Sequence, residues 1–416
     1  MSEQSTRRES CRICESRRLV RFLDLGVSPL ANRFLRGDQL GEEEPMFPLD
    51  VFVCVDCSLV QLLEVVDPEL LFRDYVYVSG TSDTMRAHFA SFAASLGARF
   101  SFAPGDLVVE VASNDGTFLS NFTGQGLRLL GVEPALNIAT IARGRGIDSV
   151  TEFFSEEVAD RLREDHGPAT CVLATNVFAH LDDVNGFVRG LDRLLGPDGI
   201  FVFENSYVRD MIDQLEFDSV YHEHLSYFSV TALSALFARH GMKIFDVQRQ
   251  PVHGGSLRVF VARDGASHSV TEAPARLRNE EQEVGLRDGA TYEAFARRVY
   301  ELRSSLVGLL RQLRADGKRI AAYGSSAKGN TLLNFMEIGP DLVSYLVDKN
   351  TLKQGMFSPG MRLPVFPVER LLEDRPDFTL MLAWNYSDEI VRQQRAYVEA
   401  GGRFIEPIPL PRVVSG

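Results

Sequence analysis

Four of the chain's five cysteines stand as two tight pairs, Cys11-x-x-Cys14 and Cys54-x-x-Cys57, separated by 39 residues. Each pair fits a turn that aims both sulfurs at one point. Together they can place four thiolates at the corners of a tetrahedron, the closed geometry of structural zinc. The N-terminal segment must then fold back on itself until the two turns meet. Four protein ligands leave the metal no open position, so the sequence assigns it a structural role and no chemistry. Two independent thiol pairs are the competing reading. Cys171 lies in an apolar run and reads as core.

With 416 residues and about 150 per domain, about three domains are expected. The chain begins MSEQSTRRESC, polar and without the apolar stretch of a signal peptide, and no run approaches the roughly 20 apolar residues of a membrane span. The expectation is a cytoplasmic protein with no membrane partner. A balance of 44 basic against 57 acidic side chains, net −13, argues against a nucleic-acid partner. The predicted fold class is α/β. Residues 1–75 form a small zinc-binding lobe, and 76–265 a doubly wound, Rossmann-like domain of strands alternating with helices. Residues 266–314 form a charged helical connector, and 315–416 a second, smaller Rossmann-like α/β unit.

The central domain carries a strand, a turn and a helix at LVVEVASNDGTFL, then a strand ending in an acid at LRLLGVEP. In a doubly wound sheet the first strand-to-helix turn approaches a cofactor, and the acid after the second strand accepts from ribose hydroxyls. Glu133 follows Gly116 by 17 residues, near the spacing of about 20 expected of that acid. Ala112, Asn114 and Gly116 hold the alternating small positions, so no glycines line up a pyrophosphate. Such a turn suits S-adenosylmethionine (SAM), which carries a positive amino acid tail and no phosphate, better than NAD. The candidate cofactor residues are Glu110, Ser113, Asn114, Asp115, Gly116, Glu133, Pro134 and Asn176. His180 follows Asn176 at the end of its strand, beside the bound donor.

Tyr221, His222, Glu223 and His224 open the segment YHEHLSYF, expected beyond the last strand of the cofactor fold and ahead of a helix capped by Ser229. The two histidines lack the i, i+4 spacing of a helical metal pair. A general base is the more natural reading, because imidazole titrates near neutral pH. A hydrogen-bonded loop histidine is the plainer alternative. The C-terminal unit opens on IAAYGSSAKGNTLLNF, a strand, a small polar turn and a helix. Ser325, Ser326 and Asn330 offer donors there and Lys328 a charge, with Lys349 and Lys353 following. That set suits an anion such as a diphosphate, and the order of residues is not that of a P-loop.

The succession of the two cysteine pairs, EVASNDG, YHEHLSYFS and YGSSAKGNT resembles the three-part sugar C-methyltransferases over nearly the whole chain. The resemblance implies a SAM-dependent enzyme with a structural Zn²⁺. Its substrate would be a nucleotide-linked 4-keto-6-deoxysugar, such as a dTDP-sugar, methylated at C3 beside the ketone for antibiotic sugars. It places the substrate between the zinc lobe and the C-terminal unit, with Tyr75 and Tyr77 near the active-site mouth and Tyr75 in a catalytic role. In the implied mechanism His224 is the base and Tyr221 donates to the enolate oxygen. Glu223 orients a histidine or a sugar hydroxyl, and His180 assists from the cofactor side. His222, Ser325, Ser326, Lys328, Asn330 and Lys353 contact substrate. The sequence leaves the oligomeric state open and is compatible with a monomer. The rivals are an O- or N-methyltransferase on the same kind of sugar, a zinc-ribbon RNA methyltransferase, and a protein that binds nucleotide sugars without catalysis.

Overall fold

The apolar runs of the central domain form strands Leu107–Val111, Arg128–Val132, Ala169–Thr175 and Leu195–Ser206, whose side chains are largely buried on both faces, as a covered parallel sheet requires. The computed structural model describes residues 4–72, 79–81 and 83–414. Asp148–Val150, Ser256–Arg263 and Met242–Gln250 complete a seven-stranded sheet. Numbered along the chain, its strands lie in the order 3-2-1-4-5-7-6, with the seventh antiparallel to both neighbours. This is the class I SAM-dependent methyltransferase fold.

YHEHLSYF does not lie beyond the last strand of this sheet, because Met242–Gln250 and Ser256–Arg263 follow it. Those strands carry charged residues among their apolar ones, in MKIFDVQRQ and SLRVFVAR, and escaped the apolar-run reading. Residues 207–241 are thus an excursion between the fifth and sixth strands. Part of that excursion belongs to the lobe. Leu19–Pro29, Met46–Cys54 and Val60–Leu62 make an antiparallel sheet, and Ser226–Tyr227 adds to its edge by pairing with Val60 and Gln61. The lobe sheet is completed by the very segment that carries the histidines.

In the C-terminal unit the strands Ile320–Tyr323, Leu346–Val347, Val365–Phe366, Phe378–Met381, Arg403–Glu406 and Arg412–Val414 lie in the Rossmann order 3-2-1-4-5-6. Two connector helices, Ala273–Glu283 and Gly289–Ala315, join it to the central domain. The longer one buries Tyr292, Phe295, Val299, Leu302, Leu306 and Leu310, spaced to share one face. Tyr292 packs on Phe22 of the lobe at 4.8 Å between ring centroids. The shorter helix sends Glu281 to the start of the helix Val230–Ala238, where it accepts from Val230 N (2.6 Å) and Thr231 N (2.9 Å). Ser229 caps the same helix by accepting from Ala232 N. One apolar core runs from Leu23 and Val51 through Phe217 and Val220 to Leu332 and Leu380, so the three units are packed together. No helix among the described residues is long and apolar enough to cross a membrane.

Candidate active site

The four paired cysteine sulfurs lie within 4.8 Å of one another, with Cys11 3.4 Å from Cys57 and Cys14 3.5 Å from Cys54. Zinc–sulfur bonds of about 2.3 Å require sulfur–sulfur edges of about 3.8 Å, and the four sulfurs are clustered closely enough for a small relaxation to seat the ion. Burial pushes the Cys14 thiol up to about 11, and its hydrogen bond with Cys11 pushes Cys57 up as well. A bound cation reverses both, because coordinating thiols deprotonate. The donor set fits zinc.

The cofactor turn adopts a strained backbone at the positions the sequence marks as small. Ala112, Asn114 and Gly116 have φ of 53°, 50° and 73°. Non-glycine residues pay roughly 1–3 kcal/mol for such a conformation and keep it only where the surroundings impose it. A Cβ on Gly116 would meet Ile147 at 3.1 Å and Ala142 of the helix Leu136–Gly144 at 3.3 Å, so packing as well as φ favours glycine. Glu133 accepts from Asn114 N and Ala135 N, both at 2.9 Å, which fixes its carboxylate across the turn at Pro134. Burial raises the Glu133 carboxyl, and raises Glu110 well above the usual range with help from Asp115 and Glu133. Glu110 Oε2 and Ser113 Oγ are buried with no hydrogen-bond partner among the described residues. A cationic ligand relieves such crowding of acids, and the residues fit a sulfonium compound with an ammonium tail. Asp115 instead braces the turn, pairing with Arg145 at 2.8 Å and accepting from Gly80 N. Asn176, with φ of 56°, donates its N–H to the Glu204 carbonyl.

His180 stacks on Phe72 (5.6 Å, 8° between planes) and on His224 (5.1 Å, 28°). Burial lowers His180 to about 4, so it is neutral at pH 7, and its Nε2 has no partner among the described residues. His224 places Nδ1 2.8 Å from the Ser219 carbonyl and Nε2 2.7 Å from the Tyr221 hydroxyl. A carbonyl can only accept, so Nδ1 carries the proton. Nε2 of the neutral ring is therefore a lone pair, accepting from Tyr221. Tyr221 and His224 are half-buried, whereas His222 and Glu223 between them are buried.

His222 reaches the Phe47 and Pro48 carbonyls of the lobe with Nε2, each at 3.3 Å, so it anchors the lobe. Glu223 accepts from Asn32 of the lobe at 2.7 Å and faces Lys353 of the C-terminal unit. Asn32 escaped sequence reading because nothing local marks it. The predicted anion turn is largely engaged by other parts of the protein and by its own backbone. Lys328 pairs with Glu216 at 2.9 Å, and Lys353 donates to the Ser325 carbonyl at 2.7 Å. Ser326 caps its helix by accepting from Gly329 N, and Ser325 N donates to Asp348. Lys349 reaches Gln393 at the surface. Asn330 donates to the Ala31 carbonyl at 2.7 Å. Its Oδ1 and the Ser325 Oγ are buried with no partner among the described residues. Tyr75 and Tyr77 lie outside the described residues.

Three family models cover the chain in order: a zinc binding domain at residues 11–72, a methyltransferase domain at 85–247, and a C-methyltransferase C-terminal domain at 251–409. The C-methyltransferase NovU of Streptomyces niveus is 38% identical over 407 residues, covering 98% of this chain and 97% of that protein. The chain belongs to the NovU family of C-methyltransferases. Two solved structures overlap it in part. A SAM-dependent methyltransferase from Anabaena variabilis aligns at 15% identity with a TM-score of 0.34, covering 42% of this chain and 84% of that one. Magnesium protoporphyrin IX methyltransferase from Synechocystis, with bound SAM, aligns at 14% with a TM-score of 0.33, covering 43% of this chain and 79% of that one. As a NovU-family C-methyltransferase, this protein takes its methyl group from SAM and carries a zinc-binding lobe.

Proposed function

We propose that this C-methyltransferase acts on a dTDP-linked 4-keto-6-deoxysugar, at C3 beside the ketone. The observation that carries the reading is the Tyr221–His224 hydrogen bond, with His224 Nδ1 committed to the Ser219 carbonyl. Carbon is a poor nucleophile until a proton leaves from beside an electron-withdrawing group, and a ring ketone supplies that group. As substrate enters, the Tyr221 hydroxyl turns from Nε2 to donate to the ketone oxygen, which frees the Nε2 lone pair; a donor of this kind contributes a few kcal/mol as charge develops on that oxygen. His224 Nε2 then takes the C3 proton, and the C–H electron pair passes into an enolate. SAM, when bound, supplies a sulfonium methyl to which the enolate carbon bonds as the S–CH₃ bond breaks, leaving S-adenosylhomocysteine. Neutral His180, stacked on His224, keeps a second positive charge away from the base. The buried Ser325 Oγ and Asn330 Oδ1 support a substrate subsite at the C-terminal turn.

The test is incubation with SAM and a dTDP-4-keto-6-deoxysugar, read by mass spectrometry and NMR. The expected product is one CH₂ heavier and carries its new methyl on a ring carbon. A methyl on oxygen or nitrogen would retire the enolate mechanism.

A further inference from the structure

Arg12 stands between the two cysteines of the first zinc knuckle and is 1% exposed. A buried guanidinium between two metal ligands needs partners, and its partners lie outside the knuckle. Its Nε meets Asp182 Oδ1 at 3.1 Å. Its Nη1 meets the Leu62 carbonyl and, at 3.3 Å, Gln61 Oε1. The knuckle backbone is gripped in return, with Asn185 Nδ2 donating to the carbonyls of Arg12 (2.6 Å) and Ile13 (3.2 Å). The two ends of this clamp are not arbitrary. Asp182 lies two residues after His180. Leu62 donates its N–H to the carbonyl of Leu225 at 3.0 Å, the residue after His224. One side chain therefore ties down both segments whose rings stack at 5.1 Å in the active site.

We infer that Arg12 is a positioning residue, through which the zinc knuckle holds the His180 loop and the His224 segment in register for methyl transfer. The lobe then has a task beyond its own folding. It fixes the separation of two rings that come from different parts of the central domain. Zinc holds the knuckle rigid, and Arg12 carries that rigidity to the rings. The inference rests on the proposed roles of His180 and His224.

Asp182→Asn tests it without touching a cysteine or the buried arginine, and the Asp182 side chain is 38% exposed, so folding is spared. Expected are one zinc per chain, an unchanged SAM dissociation constant, and a KM for the sugar within about twofold. The kcat falls about tenfold, and the ring NMR signals of His180 and His224 both shift. Arg12→Lys keeps the charge but cannot fork between carboxylate and carbonyl, so it shows the same pattern. Wild-type kcat with unmoved ring signals in Asp182→Asn would overturn the inference. So would loss of zinc in parallel with activity, since the clamp would then serve only to retain metal. The ring signals report the clamp whatever the substrate proves to be, which separates its failure from failure of the sugar assignment.

Discussion

His224 is defined by what its second nitrogen does. The Ser219 carbonyl fixes the tautomer, and Tyr221 occupies the lone pair that must later take a proton. Tyr221→Phe leaves that base in place but removes the donor to the enolate oxygen. Steady-state kinetics should therefore show kcat down about 10²-fold with SAM affinity unchanged. The other two histidines act on stability. Burial holds His180 and His222 at about 4 against an ordinary 6.5. The folded chain thus binds these protons less tightly than the unfolded chain. The associated stability is complete above pH 6.5 and is lost as pH falls toward 4. Between about pH 7 and pH 5 each ring accounts for roughly 2 kcal/mol. The buried carboxyls Glu110 and Glu133 shift the opposite way, so the test is a difference: urea unfolding should show the stability of the wild type falling relative to His222→Asn by roughly 2 kcal/mol between pH 7 and pH 5.

At the scale of elements, the two cysteine turns and the cofactor turn were the most legible. Each is a local pattern whose geometry follows from spacing: Cys-x-x-Cys aims two sulfurs, and Ala112, Asn114 and Gly116 mark the positions that take left-handed backbone. Cys54→Ser should lose the metal and most of the soluble protein, measured as zinc per chain and soluble yield, because three thiolates neither close the tetrahedron nor hold the lobe strands together. What the sequence hid was non-local. The strand Ser226–Tyr227 is too short to read and exists only because Val60 and Gln61 pair with it. That pairing belongs to the segment that turns His222 toward the lobe. The anion reading of the Ser325 turn missed Glu216 for a related reason, since the acid that pairs with Lys328 comes from another domain, over 100 residues away in the chain.

Across the whole molecule the site is a junction. The lobe contributes Asn32 and the Ala31 carbonyl, the central domain Glu223 and the Tyr221–His224 pair, and the C-terminal unit Asn330 and Lys353. Trp384 of the C-terminal unit donates to Asp218 at 2.7 Å, next to the Ser219 carbonyl that orients the base. No unit alone assembles this arrangement, in keeping with family models that span all three parts of the chain. In the proposed reaction this junction makes an enolate through His224. Its most direct test is NMR of a dTDP-4-keto-6-deoxysugar in D₂O with the enzyme and S-adenosylhomocysteine in place of the methyl donor. The wild-type protein should wash deuterium into C3, and His224→Ala should slow that exchange by ~10²-fold or more. Exchange that survives removal of His224, or no enzyme-dependent exchange at all, would contradict the account.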